Sequence, residues 1–341
     1  MPPEGPGYLG VFRDPVNEIA QIYKLRLAHI VPVNQPLLLM SQVQRSGGTL
    51  MSQLFDGHPQ CLAHPDELNI GRPDKYTYPD LSMTADADQW FEQLFERRVQ
   101  RLFVTGYLKS PDTASYDKAD IFPFVFLSNL QREIFSVTCD TLIRASTQRD
   151  VLDAYFTSYF NAWLDYQGLF QAKTYVTAFV PRVSMRADNV DRFFRDYPDG
   201  RLVSVIREPK GWYASSHRKG PENYPNPQAS LPIWMQSAES MIANKTNYPD
   251  KVRLVSFDEL LRDTAGVMRR LADWSGLDWH PSLTEPTFQG QPIKANTAFR
   301  TTDYGVIDEP RKRGSMLPPE EAEFIDTTAK ALYERVLGMC E

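Results

Sequence analysis

Apolar positions along this chain recur with two different periods. Leu37-Leu38-Leu39-Met40 is a short apolar run followed by a polar turn through Gly47-Gly48. Beyond it Leu50, Met51, Leu54 and Phe55 are spaced as one face of a helix. This order predicts strand, loop, helix, with His58-Pro59 ending the helix. Residues 86–103 carry Trp90, Phe91, Leu94, Phe95, Val99 and Leu102 at helical spacing, while the aromatic-rich 122–137 fits either a helix or a loop and strand. Thr147 and Asp150 form a capping-box pair ahead of a predicted helix at 151–166. A strand at 174–180, a helix at 189–197 and the β-branched run Arg201–Ile206 come next. The last part predicts helices at 232–246, 264–275 and 319–337 and a strand at 252–257. Alternation of this kind predicts an α/β fold, three-layer α/β/α, with a mainly parallel central sheet.

Length and charge narrow the class. A chain of 341 residues buries about three quarters of its unfolded surface. No Gly/Ser-rich linker divides the middle, so a single domain at 36–341 after an N-terminal extension at 1–35 is expected. The net charge of −6 with both signs interspersed argues against nucleic acid as the main partner. Three widely spaced cysteines, Cys61, Cys139 and Cys340, fit a reducing compartment better than a disulfide framework or a zinc site. No apolar run approaches the ~20 residues of a membrane span, and residues 1–36 have no signal-peptide core. A soluble, cytoplasmic protein is expected.

Two segments carry phosphate chemistry. In Arg45-Ser46-Gly47-Gly48-Thr49-Leu50, the glycines let backbone N–H groups approach an anion at a helix N-terminus, and Arg45 and Thr49 add side-chain donors. No Gly-Lys-Thr ends the loop, so it is not a Walker A sequence. The second segment is Arg207-Glu208-Pro209 with Ser215 eight residues after the arginine. Proline suits the first turn of a helix, which places Arg207 at the strand's edge and Ser215 about two turns along the helix.

Together these segments resemble the sulfotransferases that use 3'-phosphoadenosine-5'-phosphosulfate, nearest in motif style to the tyrosylprotein and bacterial enzymes. In that family an Arg/Lys-Ser-Gly-Thr-Thr loop holds the 5'-phosphosulfate, and Arg-Asp-Pro with a serine eight residues on holds the 3'-phosphate. Here glycine replaces the first threonine and Glu208 the aspartate. The likeness spans about 36–305, with 70–170 matching weakly and reading as an acceptor-side insertion. It implies donor contacts from Arg45, Ser46, Gly47, Gly48, Thr49, Leu50, Arg207 and Ser215. Lys294 and Asn296, in a segment similar to one that closes over the nucleotide, are further candidates.

The resemblance also implies sulfuryl transfer from this co-substrate to an acceptor hydroxyl, with no metal required. Arg45 is the expected stabiliser of the leaving phosphate. A general base is expected after the first helix, where His58, His64, Asp66 and Glu67 stand. Tyrosylprotein sulfotransferases place a glutamate at about the interval that separates Glu67 from Arg45, and His64 is a rival because an imidazole is the side chain best suited to proton transfer near neutral pH. The family lysine ahead of the Arg207 strand is missing from Phe179-Val180-Pro181-Arg182, which leaves Arg182 or Arg186 as replacements. It also leaves open a catalytically silent nucleotide-binding relative. A nucleoside-triphosphate kinase is disfavoured by the missing Walker lysine. Trp90, Phe91, Phe95, Tyr107, Tyr116, Phe122, Phe124 and Phe126 are candidates for an acceptor pocket, although aromatic residues of this kind are more often core. The acceptor and the oligomeric state are not legible.

Overall fold

The computed structural model describes residues 14–70, 76–107, 121–295, 303–307 and 314–340. The chain divides into two compact units. One joins the segment ending at Asn34 to Leu81–Val104 and Phe124–Phe170; the other joins Gln35–Asp80, Thr105–Pro123 and Gln171–Glu341.

The first unit is helical. Its centre is the helix Gln148–Ala162, opened by the Thr147–Asp150 capping box and buried along nearly its whole length. Tyr155, Phe156, Tyr159 and Phe160 on that helix are all 1% exposed or less. Asn161 closes a pair of bonds with Val31, accepting its N–H at 3.0 Å and donating to its carbonyl at 2.8 Å. The single helix expected over 86–103 is two, Ala87–Leu94 and Arg97–Thr105. The break falls where Phe95 turns extended and Glu96 goes inward to accept from Tyr155 Oη. Residues 122–137 resolve into an approach strand-like segment and the helix Ser128–Val137. Phe124 stacks on Phe126 and both pack near Trp163 and Tyr159, so these rings form core. The expected extension contains the helix Pro15–Ala28, capped by Asp14.

The second unit holds the sheet. Strands β1 (Leu37–Met40), β2 (Cys61–Glu67), β3 (Tyr175–Phe179), β4 (Arg201–Ile206) and β5 (Val252–Ser256) run in the order β2-β3-β1-β4-β5. Every pairing is parallel. Its helices are α1 (Gly48–Asp56), α2 (Ala187–Asp196), α3 (Pro209–Lys219), α4 (Pro227–Asn247), α5 (Phe257–Arg262), α6 (Thr264–Ser275) and α7 (Pro319–Leu337). Successive strand residues face opposite sides. Leu38, Met40, Val203, Val205 and Val255 share one buried cluster with Met51, Leu54 and Phe55 of α1 and Val267, Met268 and Leu271 of α6. On the other side α4 packs on β5, α2 and α7, and α7 packs on β4 and β5. Two helical layers thus enclose the sheet, which is why its strands are apolar on both faces.

Two sequence expectations shift here. Helix α4 begins at Pro227, not Pro232, because Asn226 accepts from Ala229 N–H and caps it there. Strand β2 lies in a segment for which the sequence predicts no element. It keeps register with β3 through Ala63 and resumes at Glu67, and the irregularity between them accommodates Pro65. The chain reverses direction across the sheet at β1, between β3 and β4, and open α/β sheets bind ligands outside the strand ends at such a point.

Candidate active site

The loop after β1 is rooted in its neighbours. Val180 N–H donates to Met40 O at 2.9 Å, Ser41 N–H to Val203 O at 3.0 Å, and Ser204 Oγ–H to Ser41 O at 2.6 Å. From this footing the backbone passes through left-handed conformations at Arg45 (φ 68°) and Gly47 (φ 95°). Gly47, the cap of α1, has no side chain to occupy the N–H groups of the first turn; the Gln42 amide oxygen accepts Gly48 N–H at 3.2 Å, and a helix start of this kind presents its other N–H groups to an anion. Side chains cannot replace these glycines. A Cβ on Gly47 would stand 2.4 Å from Phe257 Cδ2, and one on Gly48 2.3 Å from Phe179 Cε2.

The second segment is bound to the first. Glu208 accepts Gly211 N–H at 2.6 Å and Pro209 occupies the first turn, so α3 starts immediately after Arg207. Burial raises the Glu208 carboxyl above its ordinary value, against its helix N–H donors. Arg207 is 4% exposed. Its Nη1–H donates to Arg45 O at 2.9 Å, and its guanidinium lies 4.8 Å over the Phe257 ring. Trp212 Nε1–H donates to Gln44 O at 2.9 Å. Ser215, fully buried on α3, brings Oγ to 3.5 Å from Arg45 Nη2.

These elements surround a cavity of about 200 Å³. Arg45, Gly47, Gly48, Thr49, Leu50, Arg207 and Ser215 all line it, as does Glu67 at the end of β2. Its apolar wall is Phe179, Phe257, Leu261, Pro286 and Val306. Burial presses the Arg45 guanidinium below its ordinary value, and Tyr224 and Glu67 act in the opposite direction. Arg45 Nε is buried without a hydrogen-bond partner. A cation enclosed in this way favours an anion beside it.

The profile of the sulfotransferase family matches residues 38–281, a span that contains both phosphate segments and Glu67. The chain belongs to the sulfotransferase family. Among solved structures it is similar to the sulfotransferase domain from the Synechococcus PCC 7002 olefin synthase, at 17% identity and TM-score 0.54, covering 91% of this chain and 96% of that one. The sulfotransferase domain from the curacin biosynthetic pathway gives 12% identity and TM-score 0.49, covering 87% and 98%. No curated protein matches the sequence. The Synechococcus domain shares the fold; membership rests on the profile.

Other expected residues of the enzyme lie elsewhere. Ser46 is 1% exposed and is not among the cavity's lining residues. Lys294 lies 5.9 Å from the Tyr304 ring, while its neighbour Ala295 lines the cavity. Asn296 and Tyr116 fall outside the described residues. His64 is 3% exposed, its Nδ1–H donating to Asp66 O at 2.8 Å, and Asp66 is 5% exposed with Oδ1 accepting from Glu67 N–H. Neither lines the cavity, so of the three acid–base candidates Glu67 borders it. His58 sits at the far end of α1. Its Nε2–H donates to Asp278 O at 2.9 Å and Nδ1 accepts from Gln60 N–H, which leaves the ring tying loops together. Arg186 reaches Thr77 Oγ1 at 3.3 Å. Arg182, also left-handed at φ 65°, donates to Gln44 Oε1 and to Tyr224 Oη and lies 4.7 Å over the Tyr76 ring.

Gln44, Gln53 and Phe257 line the cavity without having been expected there. Gln44 and Gln53 have no sequence signal. Phe257 is legible only as the end of a strand, in Phe257-Asp258-Glu259-Leu260. Among the described residues no helix is long and apolar enough to cross a membrane.

Proposed function

We propose that this sulfotransferase moves the sulfuryl group of 3'-phosphoadenosine-5'-phosphosulfate directly to an acceptor hydroxyl, with Glu67 as general base. The observation that carries this reading is the convergence of Arg45, Arg207, Ser215 and Glu67 on one cavity. The donor is a substrate with two separated anionic ends, and the residues fit both. Arg45 and the N–H groups at the start of α1 suit the phosphosulfate end; Arg207 and Ser215 suit the 3'-phosphate. The apolar wall of Phe257, Leu261 and Val306 suits the purine.

In the transfer the acceptor oxygen forms a bond to sulfur as the bond from sulfur to the phosphate oxygen breaks. The hydroxyl proton passes to the Glu67 carboxylate. Charge grows on the leaving phosphate, where Arg45 and the α1 N–H groups meet it. Arg207 acts at a distance from the reacting bond: it holds the bisphosphate and, through the Arg45 carbonyl, the loop itself. Glu208 keeps the family's acidic position as the cap of α3.

A second reading, a nucleotide-binding relative without transfer, draws support from Arg182. Its head group is engaged with Gln44 and Tyr224, and it is not a lining residue. Two measurements separate the readings. 3'-Phosphoadenosine 5'-phosphate is expected to raise the melting temperature more than ATP, NAD or coenzyme A, and labelled sulfate is expected to leave the donor for an acceptor hydroxyl. Binding with no transfer to any acceptor in a broad hydroxyl panel would support the silent relative. Activity abolished by a chelator would point to a metal-dependent reaction instead.

A further inference from the structure

The turn that follows β3 is made by Arg182, in the left-handed region at φ 65°. Glycine or asparagine holds such a turn at less cost, so an arginine kept there points to a use for its side chain. Its backbone is tied to the loop after β1, with Arg182 N–H donating to Gln42 O at 2.9 Å. Arg182 is not among the cavity's lining residues. Its Nε–H donates instead to Gln44 Oε1, and its guanidinium lies 4.7 Å over the Tyr76 ring. Gln44 Nε2–H in turn donates to Tyr76 Oη at 2.9 Å. The three side chains close a triangle, which Tyr224 Oη steadies from outside at 3.3 Å from Arg182 Nη2.

This triangle fixes which way the Gln44 amide faces. An arginine only donates, so Oε1 is the end turned to Arg182 and the NH2 group is the end turned to Tyr76. One amide hydrogen goes to Tyr76 Oη; among the described residues the other has no partner. An amide that accepts from a cation is polarised by it and is a stronger donor at its NH2 end. Gln44 lines the cavity, and its backbone carbonyl is already taken by Trp212 Nε1–H.

Topology puts the amide at the reacting end. Gln44 immediately precedes Arg45, the residue proposed to meet the leaving phosphate. Its side-chain partners follow β3 and β2, which lie on one side of β1 in the order β2-β3-β1-β4-β5, whereas Arg207 follows β4 on the other. Glu67 ends β2. The Gln44 side chain is therefore drawn from the loop toward the proposed base and away from the 3'-phosphate pair. In-line transfer carries the sulfuryl group from the leaving phosphate oxygen to the acceptor oxygen, so its path runs between Arg45 and Glu67.

We propose that Gln44 donates its remaining amide N–H to an oxygen of the sulfuryl group during transfer, and that Arg182 acts through Gln44 rather than on that group itself. The proposal rests on the donor assignment and the transfer reaction given above. Gln44 neither gives nor takes a proton; the bond to sulfur still forms from the acceptor oxygen, and the hydroxyl proton still passes to Glu67. Its contribution is a fixed dipole at the place where charge moves, polarised by a cation that stays out of the cavity. Arg182 and Tyr76 are positioning residues for it.

Release of labelled sulfate from the donor, with water as the acceptor hydroxyl, gives a rate that does not depend on knowing the natural acceptor. 3'-Phosphoadenosine 5'-phosphate, which lacks the sulfuryl group, gives the binding control. Gln44→Met keeps the length of the side chain without its N–H. It should lower the rate at saturating donor about 10²–10³-fold, the value of one donor at a developing charge, with bisphosphate affinity unchanged in calorimetry. Arg182→Ala leaves the amide in place but unheld and should lower the same rate about tenfold, with Arg182→Lys doing less. In the Gln44→Met background Arg182→Ala should add nothing.

An unchanged saturated rate in Gln44→Met would overturn the proposal. A loss of bisphosphate affinity as large as the loss of rate would make Gln44 a support of the loop and also overturn it. A further loss of about tenfold on adding Arg182→Ala to Gln44→Met would place Arg182 on the sulfuryl group directly, with the same result. If Gln44→Met does not fold, Arg182→Ala and Tyr76→Phe carry the test, since each releases a different end of the amide; a normal rate in both would overturn the proposal. Wild type that binds the bisphosphate but transfers sulfate neither to water nor to any hydroxyl of the panel would instead remove the transfer reading, and the proposal with it.

Discussion

Arg207→Ala separates the 3'-phosphate contact proposed for this side chain from the anchoring of the loop that the structure shows. The first job is direct. A ligand with a 3'-phosphate loses a charge-assisted contact worth about 1.5–3 kcal/mol. The second is shared by every ligand that uses the loop. Arg207 donates to the carbonyl of Arg45 at 2.9 Å and lies over Phe257 at 4.8 Å, and losing this anchor costs about 1 kcal/mol. 3'-Phosphoadenosine 5'-phosphate should therefore lose about 2.5–4 kcal/mol of binding and AMP about 1 kcal/mol. Their affinity ratio should fall about 10- to 150-fold, at 1.4 kcal/mol per factor of ten. Calorimetric titration of both ligands into wild type and variant reads this ratio. A melting curve is needed beside it, because Arg207 is only 4% exposed and its removal leaves a void. Arg207→Lys keeps the charge without the planar fork and should fall between the two. An equal loss for both ligands would refute the assignment of Arg207 to the 3'-phosphate.

Arg45→Ala should lower the rate at saturating donor more than it weakens donor binding, since the charge it meets grows in the transition state; an unchanged saturated rate would make the loop purely structural. Glu67→Gln should leave bisphosphate binding intact while turnover falls roughly 10²–10⁴-fold, with His64→Ala and Asp66→Asn doing less. Near-normal turnover in Glu67→Gln would remove it as the base. Burial pushes the Asp56 carboxyl up to about 7, against donors from Gly290, Thr287 and Gln289. The folded state then holds a proton that the unfolded chain has released, so this contribution is complete below about pH 4 and is lost as pH rises through about 7. Denaturant unfolding should show stability declining across pH 5–7 by up to about 1.4 kcal/mol per pH unit from this group. Asp56→Asn should flatten that decline, and an identical slope in both proteins would count against the assignment.

Much of the fold is legible where local signals agree. Arg201–Ile206, Thr264–Ser275 and Pro319–Leu337 carry their own boundaries in β-branched runs, proline starts and a glycine stop. Strand β2 is not legible, because His64, Pro65 and Asp66 interrupt it with polarity and an irregular register that only β3 makes sense of. The split at Phe95–Glu96 depends on Tyr155, 59 positions away, which draws Glu96 inward. Spacing alone cannot show such a partner. At the site, Arg45, Arg207 and Ser215 are readable because each sits at a turn or on a helix face of defined spacing. The separation of Glu67 from His64 is not readable, since it depends on which residues β2 turns toward the cavity.

Gly48 departs from the threonine that related loops carry, and its surroundings explain why. Phe179 Cε2 and Gln42 Nε2 would each lie 2.3 Å from a Cβ at this position, so the ring and the amide already occupy the space a threonine side chain would need. Consensus engineering, which returns unusual residues to the common choice, would select Gly48→Thr as an improvement. In this enzyme the same exchange would overpack the loop at a cost of about 1–3 kcal/mol and displace the N–H groups at the start of α1, where Gly47, Gly48 and Thr49 line the cavity. Phe179 and Gln42 would have to give way in the same step, which makes the three positions one packing unit rather than three independent choices.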